Sequence, residues 1–212
     1  LHRDVDARGR ARADARVLGE RRADAGLLGG ALELEGHLAR RPALLRRELD
    51  GAAFELPGVP SLSFCALPLQ SKAAPYSPHR ENPVPGDNIG ITVTDQRSGK
   101  TLFYAPGLGA IEPAVFEAMC AADCVMVDGT FWTDDEMVGL GISQKTARSI
   151  GHLPQSGPGG MIEWMAKLPA RTRRMLIHIN NTNPILDEDS DERAALTAAR
   201  IEVCEDGMLI QL

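Results

Sequence analysis

Apolar and polar side chains alternate from Pro60 to Leu67 (PSLSFCAL), the two-residue period of a half-buried strand. Ile89 to Thr94 (IGITVT) and Thr101 to Ala105 (TLFYA) read as two further strands. The polar turn Asp95 to Lys100 between them marks a hairpin. Beyond Pro113 the pattern changes. Ala114 to Ala121 reads as a short helix, Val125 to Val127 as a buried strand ending at Asp128, and Gly160 to Leu168 as a helix after a Gly-rich turn. Met175 to Ile179 predicts the next strand, with His178 at its carboxyl end before the polar turn Asn180 to Pro184. Asp191 to Arg200 predicts a helix with Ser190 as its N-cap and acids in its first turn. Ile201 to Val203 and Met208 to Leu212 are expected to close the domain as strands. Hairpins followed by strand–helix alternation predict an α/β fold of the layered, α+β kind.

The first 50 residues break this pattern. They use almost only Ala, Arg, Gly, Leu, Asp, Glu and Val, and contain no Ser, Thr, Asn, Gln, Lys, Ile, Phe, Tyr, Trp, Met or Cys. Such residues favour helix, yet the apolar positions keep no clean helical period and Gly29-Gly30 interrupts them. Three readings stand for residues 1–51: a helical arm, a disordered segment, or GC-rich DNA read out of frame. Residues 52–212 form the ordinary domain, and no functional residue is assigned to the first segment.

A chain of 212 residues with net charge −6 and 4% aromatics does not fit an electrostatic or base-stacking nucleic-acid binder. No stretch approaches the length of a membrane span, and no signal peptide opens the chain, so a cytoplasmic location is expected. Cys65, Cys120, Cys124 and Cys204 form no CxxC pair and read as reduced thiols. Cys120 and Cys124 lack a second pair of ligands at zinc-site spacing, so buried apolar use is the expectation for them. Nothing in the pattern opposes a homo-oligomer.

Candidate chemistry gathers on four loops. Ser71 to Asn88 holds four prolines beside Tyr76, His79, Arg80, Asp87 and Asn88, a loop stiff enough to hold side chains in place or a solvated surface loop. Ala105 to Gly109 (APGLG) is tight, with no ligating side chain. Asp128 ends an apolar strand and is therefore a paired or metal-associated carboxylate, whereas Asp134, Asp135 and Glu136 fit a helix start. The fourth loop carries His152, and His178 follows on the next strand. Histidines and a strand-end aspartate on separate loops suit a metal site, or else a strand-end histidine capped by backbone. No GxSxG elbow, phosphate loop or dinucleotide motif is present.

The runs APYSPHRENPVPGDNIG, LFYAPGLG, ADCVMVDGTFWTDDEM, GHLPQSGPGGMIE, LIHINNTNPILDEDSDERAAL and EVCEDGMLIQL closely resemble the PqqB (coenzyme PQQ synthesis protein B) family of the metallo-β-lactamase-fold superfamily, over residues 54–212. The resemblance implies an αββα sandwich and a role in making pyrroloquinoline quinone (PQQ) from a precursor peptide with crosslinked glutamate and tyrosine. It implies a metal-dependent, iron-favouring hydroxylase or oxidase acting on the tyrosine-derived ring, with zinc as another metal for the site. Alternatively, it implies a carrier moving PQQ or its precursor to the periplasm. Carried over by residue, His178 and Asp128 are the metal-site residues, His152 and Asp128 the catalytic pocket residues, and Tyr76, His79 and Arg80 border the substrate. Pro106 and Gly107 stand where hydrolytic relatives place a metal-bridging aspartate, which argues against phosphodiester hydrolysis.

The departures from the family carry their own expectation. An early Asp-His metal motif, a Gly-rich amino-terminal strand and a cysteine cluster have no counterpart in these residues. The chain is therefore expected to be a fragment or frame-disrupted relative, with an incomplete sandwich and too few ligands for a competent metal site.

Overall fold

The computed structural model describes residues 51–73 and 76–212. The low-complexity segment 1–51 lies outside the described residues except for Gly51, and so does Pro75 of the proline-rich loop. The described strands form one seven-stranded sheet in chain order: β1 Phe54–Glu55, β2 Leu62–Pro68, β3 Ile89–Asp95, β4 Thr101–Ala105, β5 Cys124–Asp128, β6 Arg173–Ile177 and β7 Ile201–Val203. The helices are α1 Pro113–Ala121, α2 Glu136–Gly139, α3 Met161–Ala166 and α4 Asp191–Ala198. Short 3-10 turns occupy Arg148–Ile150 and Pro184–Leu186.

The first four strands pair antiparallel and the last four parallel. The reason is local. Asp95 accepts hydrogen bonds from Arg97 N and Ser98 Oγ, both at 3.0 Å, and closes the β3–β4 turn without a crossover. After β4 each strand is separated from the next by helix-forming sequence, and a parallel return needs such a crossover. The parallel ladder matters for function because it brings strand carboxyl ends to one edge: Ala105 lies opposite Val127, and Asp128 opposite Ile177. Ligand sites in open α/β sheets form in the loops beyond such ends.

Alternation decides the core. Phe103, Val125, Val127, Leu176 and Ile201 are buried with Val115 and Met119 of α1, Met161 and Met165 of α3, and Leu196 of α4. The opposite sheet face carries Leu102, Tyr104 and Met126, which are half-buried or exposed.

Two elements differ from expectation. The sixth strand spans Arg173–Ile177, starting two residues earlier and stopping two earlier than the apolar run predicts. It starts early because both charges are satisfied: Arg173 pairs with Glu202 at 2.7 and 2.8 Å, and Arg174 donates to the carbonyls of Met165, Leu168 and Pro169. It stops at Ile177 because His178 takes φ 60°, a left-handed turn that no strand continues through. Met208 to Leu212 is no strand at all. Gly207 turns the chain at φ 85° and Leu209 is 94% exposed, so an apolar run without a pairing edge keeps no β-structure.

Candidate metal centre

Asp128, His152 and His178 come together at the carboxyl edge of the parallel strands, and each offers a ligand atom within 4.8 Å of the others. Asp128 is fully buried at the end of β5, where nothing but hydrogen bonds can compensate a charge. It has several. Leu108 N donates to Oδ2 at 2.9 Å, Thr130 N to Oδ1 at 3.0 Å, and the Thr130 hydroxyl to Oδ1 as well. His152 Nδ1 lies 2.7 Å from Oδ2, and His178 Nδ1 lies 3.9 Å from Oδ1. Burial pushes the Asp128 carboxyl up, but the bonds from His152, His178 and Thr130 outweigh it and hold the group below the usual carboxylate range. His178 moves the other way, its bond to Asp128 raising its pKa against partial burial.

Thr130 is the hub. Its hydroxyl proton goes to Asp128, so its oxygen accepts from His178 Nδ1 at 2.8 Å, with His152 Nδ1 3.1 Å away. Both imidazoles are thus oriented through Nδ1, which faces Thr130 and Asp128. The two rings stack at 5.4 Å, inclined by 26°, and Phe131 packs edge-on against His152 at 5.9 Å. The His178 side chain is 54% exposed, so the group opens to solvent on that side. One carboxylate and two imidazoles beside an open face are the residue types that zinc or ferrous iron takes, and the three together could hold such an ion.

The loop after β5 is tightly held. A side chain at Gly129 would meet Ile179 Cδ1 at 2.7 Å and Leu176 Cβ at 2.8 Å, so only glycine fits between Asp128 and Thr130. Buried Gln155 donates Nε2 to the Gly129 carbonyl at 2.6 Å, and Asn183 Nδ2 donates to the carbonyls of Gly129 and Thr130 at 3.1 and 3.2 Å. Glu136 accepts from Trp132 N at 2.6 Å and from the Thr182 hydroxyl, tying this loop to the one after His178. Thr130, Gln155 and Asn183 carry no role in the sequence reading. Only the Asp-Gly-Thr run after an apolar strand hints at the first of them.

The other predicted site residues sit on the loop from Ser71 to Asn88. Tyr76 is 92% exposed, His79 Nδ1 is 3.6 Å from Asp87 Oδ1, and the Arg80 guanidinium donates to the Ala73 carbonyl. The APGLG turn enters through its backbone, by way of Leu108 N. Cys120 and Cys124 take no part in the metal-ligand group. No helix among the described residues is long and apolar enough to cross a membrane.

Comparison with known proteins agrees with this geometry. A family profile described as Beta-lactamase superfamily domain matches residues 7–179. Coenzyme PQQ synthesis protein B of Azoarcus sp. (strain BH72) is 67% identical over 159 residues, 75% of this chain and 52% of that protein. The protein of that name from Pseudomonas paraeruginosa is 58% identical over 177 residues, 84% of this chain and 57% of that protein. The chain thus spans about half the length of the curated relatives it matches. The solved structure of Zn(2+)-bound PqqB from Methylobacterium extorquens superposes with a TM-score of 0.69 at 32% identity, covering 76% of this chain and 54% of that one. A mixed sheet flanked by helices, an Asp/His/His group at its parallel strand ends and these relatives lead to one statement: the chain belongs to the β-lactamase superfamily and is similar to PqqB proteins.

Proposed function

We propose that the chain serves PQQ biosynthesis as the metal-bearing portion of a PqqB-like oxidoreductase, which hydroxylates the tyrosine-derived ring of the PQQ precursor. The observation that carries this reading is the convergence of Asp128, His152 and His178 on one solvent-open point, in a chain 67% identical to coenzyme PQQ synthesis protein B. Three donors from one edge leave room for further ligands and for substrate. Ferrous iron held there would supply the O₂ chemistry that ring hydroxylation needs, and zinc would fill the same donor set without it. The chain's own contribution is positional. Thr130 and Asp128 orient both imidazoles through Nδ1, and Phe131 packs against His152. The open side at His178 is where substrate approaches.

Asp128, His152 and His178 offer three side chains that could hold a metal ion without the early Asp-His motif, which supports the reading. The decisive experiment incubates the protein, loaded anaerobically with Fe²⁺, with the crosslinked glutamate–tyrosine diamino acid, O₂ and a two-electron reductant such as ascorbate, which reduces the second oxygen atom to water. Oxygen uptake coupled to a product 16 mass units heavier per hydroxylation supports the reading. Saturable binding of PQQ with no O₂ uptake would establish the carrier reading instead.

A further inference from the structure

We propose that the groove beside the metal centre is a binding site for an organic carboxylate, anchored by Arg148 and Lys72. The groove has a volume of about 600 Å³, large enough for a small-molecule ligand. Three chain segments build it. Leu69 to Lys72 leaves β2, Gly109 to Glu112 leads into α1, and the 3-10 turn Arg148–Ile150 with its cap Gly151 ends just before His152. These segments meet at backbone distance. A side chain at Gly109 would lie 3.0 Å from the Gly151 carbonyl, and one at Gly151 (φ 96°) would lie 2.8 Å from Lys72 N. The Ser71 hydroxyl locks the junction by donating to the Gly151 carbonyl at 2.6 Å. The metal-ligand group lies directly past this junction, since Leu108 bonds Asp128 and His152 follows Gly151.

Charge decides the ligand class. The groove is lined by two cations, Lys72 and Arg148, and one acid, Glu112, within walls that include Pro83 and Pro85. Lys72 is spanned by Glu81 at 3.3 Å, an acid that is 79% exposed and easily displaced. The Arg148 guanidinium makes no hydrogen bond or ion pair among the described residues; only its backbone N–H is engaged, by Asp134. A guanidinium without such partners, on a residue that lines an apolar-walled groove, offers a fork that matches a carboxylate. The site deepens the function proposed above and rests on that reading for its link to catalysis: it would hold the carboxylate end of the substrate while the ring reaches the metal.

Binding is tested without the metal, by calorimetric titration of the metal-free protein with benzene-1,3,5-tricarboxylate as a planar probe. Saturable binding that weakens on adding salt is expected. Arg148→Ala should weaken it roughly tenfold, as expected for one charge-assisted contact, and Lys72→Ala less. Glu112→Gln should tighten it, a change that loss of folding cannot mimic. In parallel, zinc affinity should be the same in Arg148→Ala as in the parent. No saturable binding by the folded parent, or equal binding by Arg148→Ala with the same thermal midpoint, overturns the proposal. Failure to bind zinc with probe binding intact would sink the metal-centre reading and leave the anion site standing.

Discussion

At the scale of single residues, Thr130 does the most with the least. Its hydroxyl joins the buried carboxylate to His178, and its backbone N–H bonds the same carboxylate. Thr130→Val keeps the shape and removes the relay. Zinc affinity, measured by competition with a chelator, should fall about 10- to 100-fold, the range for groups that orient metal ligands. His178 holds a backbone conformation that Asn also tolerates. His178→Asn should therefore lower the urea-unfolding free energy of the metal-free protein by only about 1 kcal/mol, the loss of one hydrogen bond, while zinc binding collapses. Equal losses in both would mean His178 acts as packing. A third residue shows burial acting alone. Cys124 is fully buried, and desolvation pushes its thiol up to about 11. The thiolate is the reactive form, so Cys124 should resist iodoacetamide near neutral pH while the native fold persists. Mass spectrometry should find it labelled only after denaturation, with the partly exposed Cys65 and Cys120 labelled first.

At the scale of elements, ends matter more than middles. Ser190 Oγ accepts from Arg193 N at 3.1 Å and caps α4, as its place before Asp191-Glu192 predicts. Ser190→Ala should cost about 1 kcal/mol in chemical denaturation. Asp123, at the entry to β5, accepts from Lys100 Nζ at 2.8 Å and from Thr101 N at 3.0 Å, which pins the start of β4 to β5. The Lys100 bond and then the Thr101 backbone bond hold its carboxyl below the ordinary 3.8. A carboxyl with a depressed folded-state pKa contributes stability that is present above its unfolded value and is lost as pH falls through the folded one. Urea midpoints of the parent and Asp123→Asn should thus differ near neutral pH and converge as pH falls through the folded-state value, which lies below 3.8; a constant gap would refute the ionic contribution. The strands from Ile89, Thr101 and Cys124 were legible from alternation and apolar runs because their neighbours in the chain are also their neighbours in the sheet. Met208 to Leu212 carried the same kind of signal with no edge to pair, and period alone cannot tell these cases apart.

For the molecule as a whole, stability and metal are linked. A ligand that binds only the folded state at a hundred times its Kd adds about 2.7 kcal/mol. Zinc should therefore raise the thermal midpoint of the parent by several degrees and that of His178→Asn hardly at all, and a scanning calorimeter separates the two. The sequence by itself determined the order of strands and helices, the caps, and the residue types at the strand ends. These depend on hydrophobic period, turn chemistry and the satisfaction of nearby backbone groups, all of which act over a few residues. It also determined the family likeness, through continuous runs that include Asp128, His152 and His178. Only the tertiary structure decided that these three meet, that Thr130 joins them, and that Arg148 lines a groove. Those outcomes rest on which strand ends the parallel ladder aligns and on how a left-handed turn at His178 aims its ring. Both are set by contacts between segments dozens of residues apart, which leave no local period in the chain.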